Sequence, residues 1–378
     1  MSKIDDLIKE LCLDGVRFAR VGDMAVIGTG RSDRKDAVEN GQYPFYVRSK
    51  IVARIDKYSF DEEAIIIPGE GGVGDIFHYV NGKYDLHQRA YRIVFTTDEV
   101  NTKYALYYFM SHFKSFITLK AVNATVTSIR KPMIEDFRIP IPPLEVQKEI
   151  VRVLDSFTEL EAELEAELEA RKRQYEYYRN SLLAFDKNAS VARWKTLESV
   201  CEAISAGGDL PNNYIKGDTQ PTKEFPYPIY SNGTELNALY GYSDSYKINK
   251  KAVTISARGT IGYHAVRSEK FTPIVRLITL IPDTKIITVK FLNYALNVTE
   301  IGHSGGSIPQ LTVPNVKKIK IPVPTLTVQE RIVSILDKFD ALVNDISVGL
   351  PAEIEARRKQ YEYYRNKLLT FKELECSR

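Results

Sequence analysis

A thirteen-residue segment occurs twice in the chain and constrains its fold more than any other feature. The segment reads RKRQYEYYRNSLL from Arg171 and RRKQYEYYRNKLL from Arg357. Tyr175 corresponds to Tyr361, 186 residues further along a chain of 378. A period this long indicates a duplicated domain rather than a solenoid of short repeats. The chain is therefore predicted to consist of two copies of one unit.

The duplicated segment ends a longer duplicated stretch. The first copy begins IPIPPLEVQKEIVRVLDSF at Ile139, and the second begins IPVPTLTVQERIVSILDKF at Ile321. Gln147 corresponds to Gln329, which is only 182 residues away. The second copy therefore carries four additional residues around positions 344–351, and four residues make about one turn of an α-helix.

Both stretches are predicted to be long helices. In the first, apolar residues recur at three- and four-residue steps, a narrow seam typical of a helix that pairs with another helix. These residues are Phe157, Leu160, Leu164, Leu168, Tyr175, Tyr178 and Leu182. In the second, Gly349-Leu350-Pro351 is predicted to kink or interrupt the helix, because proline cannot donate the backbone hydrogen bond.

A helix of this length needs a partner. Positions 145–184 would span roughly 60 Å at ~1.5 Å per residue, which is too long to fold back into a small globule. Because each copy supplies one matching helix, we expect the two helices to pair antiparallel within the chain. A coiled coil between two chains is the alternative.

Outside the helices, the sequence predicts an α/β (α+β) fold with two small, mixed, β-rich domains. Short β-rich runs are broken by Gly and Pro turns, and anchors recur, as in Tyr43-Pro-Phe-Tyr and Tyr227-Pro-Ile-Tyr. The predicted order is a first domain over 1–144 with a helix over 2–14, a long helix over 145–185, a second domain over 186–326 and a second long helix over 327–378. Two such copies would be related by pseudo-twofold symmetry.

Composition indicates the compartment in which the protein works and the partners that its charge would suit. We find no signal peptide and no apolar run long enough to cross a membrane, and the three cysteines (Cys12, Cys201 and Cys376) are scattered. We therefore expect a cytoplasmic protein with no disulfide framework and no zinc site. The net charge is only +3, but residues 186–326 carry 17 basic and 11 acidic groups, which is basic enough to bind a polyanion.

These motifs resemble the specificity (S) subunit of type I restriction-modification systems. The resemblance rests on Leu144-Glu-Val-Gln and Leu326-Thr-Val-Gln, on GLPAEIEARRKQYEYYRNKLL, on ARGTIG and SGGSIPQL, and on the opening KIDDLIKELCLDGVRFARVGD. It covers essentially the whole chain. The first copy departs from the second in lacking the Gly-Leu-Pro triplet, so its helix is expected to be straighter.

The resemblance implies a function in which the chain itself catalyses no reaction. Such subunits carry two target-recognition domains, each reading one half of a bipartite double-stranded DNA site. Their long helices set the spacing and dock two modification (methyltransferase) subunits, and restriction subunits join that core. The alternatives are an adaptor whose two domains bind protein, and a self-contained nuclease or methyltransferase.

The sequence contains no motif for catalysis, metal or cofactor binding. A methyltransferase would need an Asn/Asp-Pro-Pro-aromatic loop, and a nucleoside triphosphatase would need GxxxxGK[ST]; neither is present. The run GEGGVG at Gly69–Gly74 loosely resembles a phosphate loop, but Asp75-Ile-Phe follows it, so we interpret it as a turn between strands. The five histidines show no metal-ligand spacing. We expect no catalytic residue, no metal ligand and no cofactor.

Candidate DNA contacts are polar or basic residues on Gly-rich loops, where the backbone can approach DNA closely. Arg258 could meet a phosphate or a guanine, and Ser307 and Gln310 can donate to and accept from base edges. Each could also be an ordinary solvated loop residue. The candidates are Arg31, Arg34, Lys35, Thr125, Thr127, Ser128, Arg130, Arg258, Gly305, Gly306, Ser307 and Gln310.

Candidate contacts to protein partners lie on the duplicated helix segment. Tyr175, Tyr178, Tyr361 and Tyr364 fall on the predicted seam and would fill the helix pair. The residues beside them point elsewhere, and exposed Tyr and Arg often anchor a partner. The partner-binding candidates are Tyr177, Arg179, Tyr363 and Arg365.

Overall fold

The computed structural model describes residues 2–120, 128–186, 192–299, 301, 310–345 and 347–374. The chain forms two compact units. The first contains Met1–Glu165 together with Glu353–Arg378, and the second contains Ala166–Ala352. The longest helix, α4 (Leu144–Leu183), contributes its first half to one unit and its second half to the other.

The first unit packs helices against a six-stranded sheet in the order β2-β7-β5-β6-β3-β4, beside a two-stranded sheet of β1 and β8. Its strands are β1 (Arg17–Arg20), β2 (Ala25–Thr29), β3 (Tyr43–Tyr46), β4 (Ala53–Ile55), β5 (Phe60–Pro68), β6 (His78–Leu86), β7 (Ala90–Phe95) and β8 (Arg138–Ile141). Its shorter helices are α1 (Ser2–Leu11), α2 (Thr102–Lys120) and α3 (Lys131–Glu135).

The second unit repeats this plan with smaller sheets, in the orders β10-β17-β14-β15, β11-β13-β12-β16 and β18-β9. Its strands are β9 (Ala192–Thr196), β10 (Cys201–Ala206), β11 (Tyr214–Lys216), β12 (Tyr227–Tyr230), β13 (Leu239–Ser243), β14 (Ala252–Ser256), β15 (His264–Arg267), β16 (Thr272–Pro273), β17 (Leu277–Pro282) and β18 (Lys320–Pro324). Its helices are α5 (Leu197–Val200), α6 (Val289–Asn297), α7 (Val313–Lys318) and α8 (Leu326–Asn344).

The two units share one strand order, which confirms the predicted duplication. The run β2-β7-β5-β6 in the first unit matches β10-β17-β14-β15 in the second, and β1-β8 matches β9-β18. The paired strands of each run are antiparallel, and the central strands β5 and β14 end in buried residues, Ile65–Pro68 and Ala252–Ser256. Strands buried on both faces read as continuous apolar runs, as these do.

Helix pairing occurs inside each unit and uses the predicted seam. In the first unit, Phe157 of α4 stacks on Tyr364 of α9 (Leu350–Leu368), with ring centroids 5.6 Å apart. Arg358, earlier on α9 than Tyr364, donates to Glu161 at 2.6 Å and to Glu165 at 2.5 Å, which lie later on α4 than Phe157. Residue numbers therefore rise along α4 as they fall along α9. In the second unit, Tyr178 of α4 stacks on Phe339 of α8 at 5.3 Å. The pairing is therefore antiparallel and within the chain.

The second repeated stretch is two helices rather than one, which confirms the predicted interruption. Helix α8 ends at Asn344 and α9 begins at Leu350, with Pro351 in its first turn. A Cβ on Gly349 would lie 2.4 Å from the Ala341 carbonyl oxygen, so this close chain crossing requires glycine. The additional four residues of this copy fall at the break.

Segments near the two ends of the sequence pair in the first unit. The Val16 N–H donates to the Lys372 carbonyl, and the Leu374 N–H donates to the Val16 carbonyl, both at 2.9 Å. On the neighbouring helices, Lys367 donates to Asp5 at 2.8 Å. The first copy is thus completed by the last helix of the chain.

A buried glutamine joins each β-rich part to its long helix. Gln147 has no exposed surface; its Nε2 donates to the carbonyls of Glu99 and Pro142, and its Oε1 accepts from the Asn101 N–H, all at 2.8 Å. These bonds tie the beginning of α4 to the residue that precedes α2. Because every polar atom of the amide is paired, its burial carries no penalty for a lost hydrogen bond.

Gln329 does the same in the second unit. It is also fully buried, and it bonds Ile286, Thr288 and Pro324 at 2.9 Å through the corresponding atoms. Thr288 caps α6 by accepting from the Phe291 N–H. The duplicated glutamine therefore makes the same set of backbone hydrogen bonds in both units.

We predict that Gln147→Leu destabilises the purified chain by about 3 kcal/mol, because it leaves one backbone N–H and two carbonyls buried without partners. The midpoint of urea denaturation measures this change. Gln360→Leu is the matched control, since Gln360 is exposed on α9. Equal effects of the two substitutions would contradict the prediction.

Candidate nucleic-acid interface

In the first unit, three loops meet at the end of strand β5. The Gly69 N–H donates to the Arg89 carbonyl at 2.8 Å, which joins the loop after β5 to the turn between β6 and β7. The Ile129 N–H donates to the Gly69 carbonyl at 2.9 Å, which adds the segment before α3. The run Gly69–Gly74 is a loop between strands, as predicted, with left-handed backbone at Gly71, Gly72 and Gly74.

The basic loop after β2 lies against the same turn. The Gln88 N–H donates to the Ser32 carbonyl at 3.0 Å, and Ser32 Oγ donates to the buried Asp85 at 2.6 Å. Arg34 and Lys35 stand in the 3₁₀ turn Arg34–Asp36, and the side chain of its N-cap residue, Asp33, accepts from the Lys35 N–H. Arg31, Arg34 and Lys35 are exposed, so this turn presents the predicted basic residues to solvent.

Two arginines help to line a cavity of about 350 Å³ at this junction. Its lining comprises Arg34, Val47, Arg48, Ser49, Glu70, Gly71 and His87. Glu70 Oε2 accepts from Arg89 at 2.8 Å and from Arg48 at 3.2 Å, while Arg34 forms no ion pair among the described residues. The cavity holds the guanidinium groups of Arg34 and Arg48 beside the carboxylate of Glu70, and guanidinium groups can contact a nucleic-acid backbone.

His87 in this cavity is a neutral hydrogen-bond acceptor. Burial and the neighbouring guanidinium of Arg48 lower the pKa of its imidazole below 6.5. Its Nδ1 accepts from the Arg89 N–H at 3.0 Å, a role that only the unprotonated nitrogen can fill. The imidazole therefore positions the backbone of Arg89 and supplies no charge at pH 7.

The second unit builds the same junction from different side chains. The Ala257 N–H donates to the Arg276 carbonyl at 2.8 Å, and the Leu311 N–H donates to the Ala257 carbonyl at 2.9 Å. Ala257 thus corresponds to Gly69, and Arg276 corresponds to Arg89. Arg258 follows Ala257 as Glu70 follows Gly69. The loop after β10 approaches as closely, because a Cβ on Gly207 would lie 2.2 Å from the Ile274 carbonyl oxygen.

The structure brings most of the described candidates to these two junctions. Ser128 and Arg130 are exposed beside the Gly69 loop, and Ser128 bridges Glu70 through the backbone. Gln310 is exposed and precedes Leu311, next to the Arg258 loop. Thr125, Thr127, Gly305, Gly306 and Ser307 lie outside the described residues.

Sequence reasoning missed several basic residues that share these junctions. They are Arg48 and Arg89 in the first unit and Lys247 and Arg276 in the second. Arg89 and Arg276 occupy equivalent positions in the two copies, whereas Arg48 and Lys247 lie where the copies differ. The Arg276 backbone (φ 75°) is left-handed, a strained conformation for a non-glycine residue that would have been visible only in the fold.

The partner-binding candidates divide into two kinds. Tyr177 and Tyr363 are 69% and 64% exposed. Arg179 and Arg365 are half-buried, with guanidinium groups 5.7 Å and 5.5 Å from the rings of Tyr175 and Tyr361. The tyrosines are therefore presented to solvent in both copies, whereas the arginines also pack on the seam.

Among the described residues, no His, Cys, Asp and Glu side chains group as metal ligands. No helix in the described ranges has an apolar stretch long enough to cross a membrane.

Comparison with known proteins identifies relatives along most of the chain. The family model described as the type I restriction modification DNA specificity domain matches residues 14–170 and 193–356, once in each copy. A type I specificity subunit of Mycoplasma pneumoniae is 31% identical over 332 residues, covering 85% of this chain and 97% of its own. A type I restriction enzyme specificity subunit of Haemophilus influenzae is 32% identical over 372 residues, covering 92% and 93%.

Solved structures share the fold. The crystal structure of the type I restriction-modification S subunit from M. genitalium superimposes with a TM-score of 0.61 at 18% identity, covering 94% of this chain and 96% of that one. The family match extends over both copies, and the duplicated strand order with paired helices agrees with it. The chain belongs to the type I restriction-modification DNA specificity family.

Proposed function

We propose that this chain is the DNA-binding specificity subunit of a type I restriction-modification complex, in which each β-rich part reads one half of a bipartite double-stranded site. The observation that carries the proposal is the junction at the end of the central strand, which is built twice on one backbone frame. Each junction presents basic side chains on Gly-rich loops, and the side chains differ between the copies. The same backbone arrangement with different side chains would allow the two units to recognise different DNA sequences.

The division of contacts follows from the chemistry of DNA. Arg31, Arg34 and Lys35 are exposed and can meet phosphates, which position a protein without specifying sequence. Residues that lie deeper in each junction would reach base edges, where hydrogen bonds distinguish base pairs. Thr125, Thr127, Gly305, Gly306 and Ser307 belong to this proposal on their sequence position alone.

We further propose that the long helices dock two modification subunits, that restriction subunits join this core, and that the chain itself performs no catalysis. Tyr177 and Tyr363 support the docking because they occupy equivalent places in the two copies and stand exposed on the helices. Arg179 and Arg365 would support the adjacent tyrosine rings while contributing to the same surface. Duplicated docking residues provide for two copies of one partner.

Helix α4 would set the spacing between the half-sites. It is continuous from Leu144 to Leu183 and contributes to both compact units. Each added helical turn lengthens it by ~5.4 Å, which corresponds to between one and two base pairs at ~3.4 Å per base pair. Its centre already repeats Glu-Leu-Glu-Ala three times over 159–170.

We predict that co-expression of this chain with its modification subunit, in a host without DNA methylation, produces methylated bases in a two-part motif with a fixed gap. Sequencing of the methylated bases measures the motif, and expression of the modification subunit alone is the control. A stable complex that methylates nothing, and whose DNA affinity does not fall with salt, would instead support a protein-binding adaptor.

Insertion of one more Glu-Leu-Glu-Ala after Ala166 tests the spacing. We expect the same two half-sites with a gap longer by one or two base pairs. Substitution of Ala166 by Leu, which leaves the helix length unchanged, is the control. An unchanged gap in an active complex would show that α4 does not set the spacing.

We predict that Tyr177→Ala and Tyr363→Ala together weaken binding of the modification subunit, with little effect on the stability of the chain. An exposed tyrosine at the centre of an interface contributes about 1–2 kcal/mol, so each substitution lowers the affinity roughly tenfold. Isothermal titration measures the affinity. Glu176→Ala and Glu362→Ala change the neighbouring exposed residues and serve as controls, and equal effects in both pairs would contradict the docking site.

A further inference from the structure

The two recognition junctions differ in charge at one structurally equivalent position. Glu70 and Arg258 each follow the residue whose backbone N–H and carbonyl hold the junction together, at 2.8 and 2.9 Å in both units. Each is followed by a glycine in the left-handed conformation, Gly71 at φ 68° and Gly259 at φ 78°. The backbone is therefore the same, while a carboxylate stands in one unit where a guanidinium stands in the other.

Glu70 is oriented by its neighbours and keeps one oxygen available. Arg48 and Arg89 both donate to Oε2, and Oε1 accepts no hydrogen bond from the described residues. The side chain is 41% exposed, so the free oxygen can reach a ligand. A carboxylate is repelled by phosphates, which makes it unsuited to the backbone of DNA. It can instead accept from an amino group on a base edge, most directly cytosine N4.

Arg258 is held through its backbone and keeps its guanidinium available. Its carbonyl accepts from Asn232 at 2.8 Å, and Thr260 on the same loop donates to the Asn232 carbonyl. Within the described part of the chain, its side chain forms no ion pair. A free guanidinium on a fixed loop can donate two parallel hydrogen bonds to O6 and N7 of guanine.

We propose that Glu70 and Arg258 are the corresponding specificity-determining residues of the two recognition parts, and that Glu70 accepts from cytosine N4 while Arg258 donates to guanine. Arg48 and Arg89 are positioning residues that aim the carboxylate and offset its charge. This inference rests on the proposed function, since it assigns base contacts to that same interface. It goes further by assigning a hydrogen-bond acceptor in one unit and a hydrogen-bond donor in the other to the same position of the shared backbone.

The exposed ion pairs of Glu70 contribute little to folding, so they can be altered without loss of the protein. Arg48, Arg89 and Glu70 are each about half exposed, and exposed ion pairs of this kind add little to stability. A change of function in a Glu70 variant therefore reports on recognition rather than on unfolding.

The test is the methylated motif of the whole complex, determined for wild type and for single variants of the full chain. Glu70→Gln keeps the shape of the side chain, and a carboxamide pairs with adenine in the major groove. We expect it to alter one base position in one half-site, with discrimination against the wrong base falling about tenfold, the size of one good contact. We expect Arg258→Ala to relax a guanine in the other half-site by the same factor.

Two controls remove equal charges elsewhere. Glu63→Gln acts on strand β5, outside the junction that contains Glu70, and Arg193→Gln acts on β9 in the second unit. Both should preserve the wild-type motif. Arg48→Ala should alter the same base position as Glu70→Gln, because it releases the carboxylate from its orientation.

Several outcomes would overturn the proposal. An unchanged motif in both Glu70→Gln and Glu70→Ala would mean that Glu70 only offsets the charge of Arg48 and Arg89. Uniform loss of methylation at all sites would mean that the residue affects contact with the DNA backbone and not with a base. Changes in the same half-site for Glu70 and Arg258 variants, or a wild-type half-site without a G·C pair, would refute the opposed assignment. If wild type directs no methylation dependent on this chain, the proposed function itself has failed.

Discussion

A buried amide fixes the geometry on which the rest of the protein depends. Gln147 and Gln329 each bond three backbone groups that converge from the entry of a long helix and from the residues before a second helix. A carboxamide can both donate and accept hydrogen bonds, so a single side chain links these segments without leaving an unpaired polar group. The β-rich part of each unit is therefore tied to its long helix by buried hydrogen bonds.

The junctions show how a duplicated backbone frame accommodates different side chains. Backbone hydrogen bonds around Gly69 and Ala257 are the same in distance and direction, so the loops are placed by the main chain and not by their side chains. The side chains are then free to change from Glu70 to Arg258. This separation suits the proposed DNA contacts, since contacts that position a protein on DNA and contacts that read its sequence are made by different groups.

Much of the fold could be predicted because it follows from local patterns. The repeated segment predicted the duplication, the apolar seam predicted helix pairing, and Gly349-Leu350-Pro351 predicted the break between α8 and α9. The candidate site could be predicted only in part. Arg31, Arg34 and Arg258 were found as basic residues on glycine turns, but Arg48 and Arg89 reach Glu70 from separate strand ends. Contacts between residues distant in sequence depend on strand order, which periodicity does not encode.

The sequence by itself determined the two-copy plan, the helices, the strands and the family, since each is expressed in spacing and composition. Tertiary structure decided which residues form the candidate interface. It joined the loop after β5 to the turn after β6, made His87 a neutral acceptor through burial, and placed Glu70 and Arg258 at one equivalent position with opposite charge. The physical reason is that hydrogen bonding and desolvation at a junction depend on every chain segment that meets there.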